Sequence, residues 1–382
     1  MAKPTHEKAF NPVLSQGRTE QERGGLNPSL PDLTISIIVP VYNGGEPFRQ
    51  CLQSLKNLNP PPMEVIVVAD GDTDGSWQLA EAFGTHVIRL PTSSGGPAKP
   101  RNLGALQATG ECLFFVDADV CVSSDTLRQI TETFHRHPDL TALIGSYDDT
   151  PSEKNFLSQY KNLIHHYVHQ HAQQNASTFW GACGAIRRQA FLEVGGFDEH
   201  YRRPSIEDIE LGYRLKKAGH EIHLCKDITV KHLKRWGIAS MLKADFFYRA
   251  IPWTELILRD RMFVNDLNIR HSERLCVILV YGFIGTVLGG LWWNGLLALA
   301  ILMMFALLVI NAPLYSFFLK KRGLRFALQS VPWHWLYYFY SGLAFAIGLF
   351  RHIVRRGRQR TSITSPLSPE SFNALKNSGK PS

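Results

Sequence analysis

The chain has 382 residues, which is long enough for one large domain or two ordinary ones with a sizeable core. Hydrophobic residues make up 45% and charged residues 19%, and the apolar excess lies after residue 274, which favours a membrane part. The net charge of +8 is concentrated partly in basic clusters at 320–325 and 351–360 that flank apolar segments. No nucleic-acid-binding motif accompanies these clusters, so we expect no nucleic-acid partner.

The two ends of the chain and its cysteines add little chemistry. Residues 1–33 are polar and contain several Gly and Pro residues without an apolar h-region, so we expect a disordered tail and no signal peptide. Residues 351–382 are predicted to be a basic, disordered tail. The six cysteines show no C-x-x-C spacing, which predicts reduced, inert core residues in a protein that faces the cytosol.

Strand-like and helical runs alternate from residue 34 onward. Strands are predicted at 34–43, 63–70, 85–91 and 111–119, and helices at 46–58, 76–83, 99–109 and 123–137. This alternation predicts an α/β domain over 34–239 with a doubly wound, mainly parallel sheet covered on both faces. Ligands of such sheets bind beyond the carboxyl ends of the strands.

The pattern of apolar and charged residues changes after residue 239. Residues 240–273 interleave aromatic and charged side chains, which is typical of an amphipathic interfacial segment, although a helix packed on the soluble domain would read similarly. The segment 274–350 contains uncharged stretches at 275–319 and 331–350, which leaves room for two or three transmembrane helices. Three membrane spans would place the basic clusters 320–325 and 351–360 on opposite sides of the membrane. Because basic residues favour the cytosolic side, one of the uncharged stretches could be re-entrant or interfacial instead.

The loop that follows the second strand resembles a calcium site. Asp70 opens the pattern D-x-D-x-D-G followed by Glu81, which fits an EF-hand loop. An EF-hand needs a helix on both sides, whereas the run before Asp70 reads as a strand. We therefore interpret the segment as a strand-to-helix loop whose Asp70 points into the ligand crevice.

Two carboxylates, Asp117 and Asp119, end the fourth predicted strand. Alternate residues of a strand face the same way, so both can address one site. Hard oxygen ligands in this arrangement suit Mg²⁺ or Mn²⁺ and leave coordination positions for phosphate oxygens. The alternative interpretation is a pair of solvated or helix-capping aspartates.

A second acidic cluster, Glu207, Asp208 and Glu210, lies in the first turn of a predicted helix. Acidic residues at a helix N-terminus complement the helix dipole, which is the structural interpretation. The functional interpretation is a general base near the crevice that removes a proton from an attacking hydroxyl. A basic segment at 231–236 (KHLKRW) follows, and it could also be an ordinary membrane-proximal basic stretch.

Seven motifs in order resemble those of family 2 glycosyltransferases with the GT-A fold, over about residues 34–240. They are IIVPVYNG, VVADGDTDGS, GPAKPRNLGA, FFVDAD, WGACGAIRRQAFLEVGGFDE, IEDIELGYRLKKAG and HLKRW. Membrane-anchored members of that family also carry interfacial and transmembrane helices after the catalytic domain. The resemblance implies a nucleotide-sugar donor, a divalent cation and a GT-A-type sheet followed by C-terminal transmembrane helices.

The resemblance also implies roles for individual residues. Donor binding falls to Pro40, Tyr42, Asp70, Arg101 and Asp117, to which we add Arg235 for the diphosphate. Metal binding falls to Asp119, Asp117 and His232, catalysis to Asp208 as base with Glu207 beside it, and acceptor binding to Trp180 and Gly181, to which we add Trp236.

Two departures from the family pattern matter. The loop after the second strand usually carries two consecutive acids, but here the first is Ala69, so Asp70 contacts the base alone. Processive polysaccharide synthases show Q-x-x-R-W where this chain has H-L-K-R-W, which argues against processive transfer. A neutral imidazole at His232 could instead be a further metal ligand.

Together these observations predict a multi-pass cell-membrane enzyme with a cytosolic catalytic domain. It would transfer a sugar with inversion from a nucleotide-diphosphate sugar to a hydroxyl on a lipid-linked or cell-envelope glycan acceptor. The alternative is a non-catalytic membrane protein that senses a nucleotide sugar or docks a partner. A nucleotidyltransferase lacks support because no Gly-rich phosphate loop with a lysine is present near the first strand, and a dinucleotide oxidoreductase because G-x-G-x-x-G is missing there.

Overall fold

A computed structural model of the protein describes residues 33–261 and 270–356. The predicted N-terminal tail, apart from Leu33, lies outside the described residues. The same holds for residues 262–269 of the predicted interfacial segment and for residues 357–382 of the predicted C-terminal tail. Residues 351–356 belong to the last helix rather than to a tail.

Within the described residues, eight strands form one sheet in the order β3-β2-β1-β4-β7-β6-β8-β5. They are β1 (Ile35–Val41), β2 (Glu64–Asp70), β3 (His86–Leu90), β4 (Cys112–Val116), β5 (Val120–Val122), β6 (Ala142–Tyr147), β7 (Cys183–Arg187) and β8 (Ile222–His232). The four predicted strands correspond to β1–β4, which pair in parallel as expected. The other half of the sheet is mixed, because β7 runs antiparallel to both β4 and β6, and β5 antiparallel to β8.

Both faces of the sheet are buried. Strand β1 sends Ile37 and Val39 into one hydrophobic core and Ile38 into the other, because successive strand residues point to opposite faces. The helices that cover the sheet are α1 (Gly45–Lys56), α2 (Ser76–Ala82), α3 (Ala98–Gln107), α4 (Thr126–Arg136), α5 (Phe156–Gln170), α6 (Arg188–Glu193) and α7 (Glu207–Lys217). The carboxyl ends of β1, β2 and β4 therefore meet at one edge, where a crevice can form.

The chain after β8 is helical. It comprises α8 (Ile238–Lys243), a π-helical segment (Ala244–Ala250), α9 (Ile251–Asp260), α10 (His271–Gly289), α11 (Gly295–Ile310), α12 (Ala312–Arg322) and α13 (Leu324–Arg356). Helix α13 has 33 residues and contains Pro332. The uncharged stretch 331–350 lies inside this helix and is not a separate element.

Among the described residues, α10 is the one helix that is long and apolar enough by itself to cross a membrane. Only 11% of its apolar window is buried by the rest of the protein, unlike a helix in a soluble core. Helices α11 and α12 meet the same criterion only as a pair, bent by 60°. Between α10 and α11, Trp292 is 84% exposed.

Candidate active site

A buried arginine connects the two acidic motifs. Arg101 of α3 donates from Nη2 to Asp117 Oδ1 at 2.6 Å and from Nη1 to Glu207 Oε1 at 2.9 Å. Arg101 is 3% exposed and Glu207 4%, so the pair is shielded from water. The second Glu207 oxygen accepts the backbone N–H of Ser205 at 2.9 Å. Glu207 is thus occupied on both oxygens, and Arg101 is a buried link between β4 and α7.

Asp208 is the carboxylate of α7 that remains at the crevice. Its Oδ2 accepts the backbone N–H of Gly181 at 3.1 Å, and its Oδ1 accepts that of Ile209 at 2.8 Å. Burial and the neighbouring charge of Glu207 raise the pKa of Asp208 to about 6, although Arg101 acts in the opposite direction. A carboxylate with a pKa near neutrality is well suited to accept a proton during a reaction.

Asp119 lies beside His232 because of the pairing of two strands. Strand β5 pairs antiparallel with β8 and sets Val120 opposite His232, which leaves His232 Nε2 3.7 Å from Asp119 Oδ2. Burial opposes ionisation of Asp119, but His232 and the charge of Lys234 outweigh it and lower the pKa of Asp119. Asp119 is therefore held as a carboxylate.

The predicted metal ligands separate into two groups. Asp117 is bound to Arg101, whereas Asp119 and His232 face each other. In residues 33–261 and 270–356, no group of three or more His, Cys, Asp or Glu side chains is arranged to hold a metal ion. One carboxylate and one imidazole still fit a cation that takes its remaining ligands from phosphate oxygens and water.

The predicted donor residues at β1 and β2 lie at the same edge of the sheet. Asp70 ends β2 and is 4% exposed; it accepts hydrogen bonds from the backbone N–H of Ser94 at 2.7 Å and from the Ser93 hydroxyl at 3.1 Å. Pro40 is buried within β1, and Tyr42 directly after the strand is 58% exposed. Asp70 therefore fixes the loop after β3, while the Tyr42 ring is free to contact a ligand.

Aromatic rings pack beside His232. Tyr147, at the end of β6, stacks on His232 with centroids 4.4 Å apart and meets Trp180 edge-on at 4.8 Å. Gly181 follows Trp180, and a side-chain carbon there would lie 2.7 Å from Arg101 Cζ. The lack of a side chain at Gly181 is therefore needed for the close approach of Arg101, while its backbone N–H holds Asp208.

The structure does not bring Arg235 and Trp236 into this arrangement. The Arg235 side chain is 76% exposed and pairs with Glu153 at 3.4 Å. Trp236 is 7% exposed and packs with Tyr160 and Phe318 in a hydrophobic cluster. The structure therefore places the Trp236 indole in the packing between the sheet domain and the C-terminal helices rather than beside Asp208, and its assignment to the acceptor stays a prediction.

Sequence reasoning missed three residues near the site. Tyr147 carries no motif of its own, and only the fold reveals it. Lys234 lies in the basic segment 231–236, but the sequence assigns it no role in the site; in the structure its charge acts on Asp119. Arg249 comes from the π-helical segment, and its positive charge acts on both Asp208 and Tyr147.

A family model described as "Glycosyl transferase family 2" matches residues 36–195. The α/β domain of the chain therefore belongs to this glycosyltransferase family. A second model, "N-terminal domain of galactosyltransferase", matches residues 162–236 of the glycosyltransferase. Together the two matches contain Asp70, Asp119, Asp208 and His232.

Curated relatives share parts of this glycosyltransferase. Poly(ribitol-phosphate) beta-N-acetylglucosaminyltransferase TarS of Staphylococcus aureus is 37% identical over 111 residues, which are 28% of this chain and 19% of TarS. Glycosyltransferase GlyA of Streptococcus pneumoniae is 24% identical over 263 residues, 66% of this chain and 36% of GlyA. A crystal structure of S. aureus TarS 1-349 with UDP-GlcNAc aligns with a TM-score of 0.48 at 23% identity, covering 59% of this chain and 66% of that one. The chain thus spans about a fifth to a third of the length of these two curated relatives.

Proposed function

We propose that this family 2 glycosyltransferase transfers a sugar, with inversion and with a divalent cation, from a nucleotide-diphosphate sugar to a hydroxyl acceptor. The observation that supports the proposal most is the buried link Asp117–Arg101–Glu207. It joins the chain two residues before Asp119 to the residue directly before Asp208, which supports a shared site for the two carboxylates.

Donor binding uses the edge of the sheet. The exposed Tyr42 ring offers a surface for the nucleobase, and Asp119 with His232 would hold Mg²⁺ or Mn²⁺ against the diphosphate. The cation would neutralise charge on the departing nucleotide diphosphate. Lys234, whose charge already acts on Asp119, adds positive potential at the same place.

Asp208 acts as the general base. It removes the proton from the acceptor hydroxyl, whose oxygen attacks the anomeric carbon as the bond to the diphosphate breaks on the opposite face. This single displacement inverts the anomeric centre and needs no enzyme nucleophile. The Gly181 N–H orients the Asp208 carboxylate, whereas burial and the charge of Glu207 keep the proton affinity of Asp208 high.

The Asp208→Asn variant tests the assignment. It keeps the size of the side chain but cannot accept a proton, so release of nucleotide diphosphate from a panel of UDP-, GDP- and dTDP-sugars should fall by about 10²–10⁴-fold. Asp139→Asn, at an exposed surface position, is the matched control and should retain wild-type turnover. Wild-type turnover in Asp208→Asn would remove Asp208 from the role. If the wild-type protein binds a donor but shows no turnover, the alternative of a non-catalytic protein that senses a nucleotide sugar is favoured.

We also propose a multi-pass membrane protein with a cytosolic catalytic domain. Two ends of the apolar hairpin α10–α11–α12 contact that domain: Arg270 donates to the His171 carbonyl, and Arg322 donates to the Asp149 carbonyl. Helix α13 contacts the domain near its start, through Phe326 on Phe156, and near its end Arg351 lies 3.8 Å from Glu255 of α9. These contacts support two crossings by the hairpin, with α13 along the interface and both basic clusters on the cytosolic side.

Labelling of single cysteines tests this topology. Trp292→Cys should react with a membrane-impermeant thiol reagent from outside intact cells, whereas Arg325→Cys should react only after the membrane is opened. The native cysteines are replaced by alanine or serine for this test. Labelling of both positions from the same side would contradict two crossings.

The acceptor is proposed to be a lipid-linked or cell-envelope glycan. The name of TarS describes transfer of N-acetylglucosamine to poly(ribitol phosphate). The apolar helices that follow the α/β domain favour an acceptor at the membrane surface.

A further inference from the structure

A polar cavity lies between the sheet domain and the C-terminal helices, apart from the Asp208 crevice. Its volume is about 210 Å³, and its walls come from α5, the π-helical segment, α10, the α11–α12 junction and α13. One water molecule needs only about 10–15 Å³, and sites for drug-sized ligands begin at about 300 Å³. This junction cavity therefore has room for a ligand of one ring.

One buried polar group at the junction cavity has no partner. The hydroxyl of Tyr160, a residue that is 4% exposed, makes no hydrogen bond among the described residues. A buried hydroxyl without a partner costs about 1–3 kcal/mol. A ligand that supplies a hydrogen bond would remove this cost, whereas a purely apolar ligand would not.

The charges of the junction cavity balance one another. Lys161 Nζ lies 2.5 and 2.6 Å from the two Asp245 oxygens, and the Tyr340 hydroxyl donates to Asp245 at 2.9 Å. Arg270 and Glu273 contribute one further charge of each sign. Because its two cations are matched by two carboxylates, the cavity offers little net attraction for a phosphate or for a free cation.

Aromatic rings complete the lining. Tyr160, Tyr167, Tyr337 and Tyr340 all face the junction cavity. Tyrosine combines an apolar ring face with a polar hydroxyl, and carboxylates make strong hydrogen bonds to hydroxyl groups. A neutral ring with many hydroxyls and apolar C–H faces matches this lining.

We propose that the junction cavity binds one neutral sugar ring. The ring accepts a hydrogen bond from the Tyr160 hydroxyl, donates hydroxyls to the carboxylates and lies against the tyrosine faces. Arg249 lies on the catalytic side of the cavity, with Nη1 4.0 Å from Asp245 Oδ1, and its charge also acts on Asp208. The sugar can be the headgroup of a membrane glycolipid or part of a soluble glycan.

Binding by the full-length protein in detergent micelles tests the proposal. The probes are fluorescent diacylglycerols that carry one glucosyl, galactosyl or mannosyl headgroup, with the free methyl glycosides as soluble competitors. We expect at least one probe to bind saturably. Competition by a free glycoside identifies the sugar itself as sufficient, and binding of the lipid form alone identifies a glycolipid headgroup.

Two variants locate the binding. Tyr160→Phe removes only the hydroxyl and should weaken binding by about 2- to 12-fold, the effect of one hydrogen bond. Ser272→Trp places a large side chain at an exposed position of the cavity wall and should abolish binding. Tyr213→Phe, a fully buried tyrosine whose hydroxyl accepts from Trp253, is the matched control and should bind as wild type.

The binding readout does not depend on catalysis, and Asp208→Asn should bind the probe as the wild-type protein does. The proposal is overturned if no probe or glycoside binds, or if Tyr160→Phe and Ser272→Trp both bind as wild type. It is also overturned if a fluorescent phosphatidylglycerol binds in place of the sugar lipids and the Ser272→Trp variant no longer binds it. The occupant of the cavity would then be an anionic lipid.

Discussion

Replacement of Arg101 gives the most direct test of the buried link. Arg101→Met keeps a long side chain but removes the cation that joins Asp117 and Glu207. Breaking a buried ion pair by removing one partner costs about 3–5 kcal/mol, because a charge is left without compensation. The Asp117 side chain is 35% exposed and can be hydrated, whereas that of Glu207 is only 5% exposed. We therefore expect Arg101→Met to lower the free energy of unfolding by about 3–4 kcal/mol. Most of this loss comes from the uncompensated charge of Glu207.

The measurement is urea-induced unfolding of the detergent-solubilised protein, followed by near-UV circular dichroism, together with donor turnover. Arg128→Met is the matched control, since Arg128 is 56% exposed and pairs with Asp125 at 3.0 Å; it should change the free energy of unfolding by less than about 1 kcal/mol. Adding Glu207→Gln to Arg101→Met should restore part of the lost stability. A cost below about 1 kcal/mol for Arg101→Met would refute the reasoning, as would a double variant less stable than Arg101→Met.

Three further predictions concern the crevice. The rate of transfer should fall as the pH drops through about 6, because Asp208, with its raised pKa, is protonated there and can no longer accept a proton. A rate of transfer that stays constant from pH 5 to 8 would contradict this prediction. Gly181→Ala should lower turnover by about 10²-fold, since its Cβ would lie 2.7 Å from Arg101 Cζ and displace the Asp208 contact; Gly285→Ala, where a Cβ would meet nothing within 4 Å, is the control and should retain wild-type turnover. His232→Ala should raise the Mn²⁺ concentration for half-maximal activity by at least about 10-fold. An unchanged Mn²⁺ concentration would show that His232 does not bind the metal together with Asp119.

The first half of the sheet could be predicted from sequence because its signals are local. Strands β1 to β4 are apolar runs bounded by turn residues, and α1 between β1 and β2 carries apolar residues at helical spacing. The positions of Asp70 and Asp117 then follow from where the parallel strands end, whereas Asp208 lies in the first turn of α7.

The second half was harder because its pairings are long-range. Strand β7 follows a long excursion through α5 and enters the sheet antiparallel between β4 and β6. No local pattern encodes that insertion, so the mixed character of the sheet was missed. The position of Trp236 was missed for the same reason, since only the docking of the C-terminal helices shows that its indole is buried.

The C-terminal helices are tied to the chemistry by charge rather than by apolar contact alone. Asp245 receives Lys161 from α5 and the Tyr340 hydroxyl from α13, and Arg249 four residues later carries charge toward Asp208. A shift of α13 relative to α5 would therefore move Tyr340 and alter the surroundings of Asp245 and Arg249. Because the charge of Arg249 lowers the pKa of Asp208, we expect such a shift to change that pKa through Asp245 and Arg249.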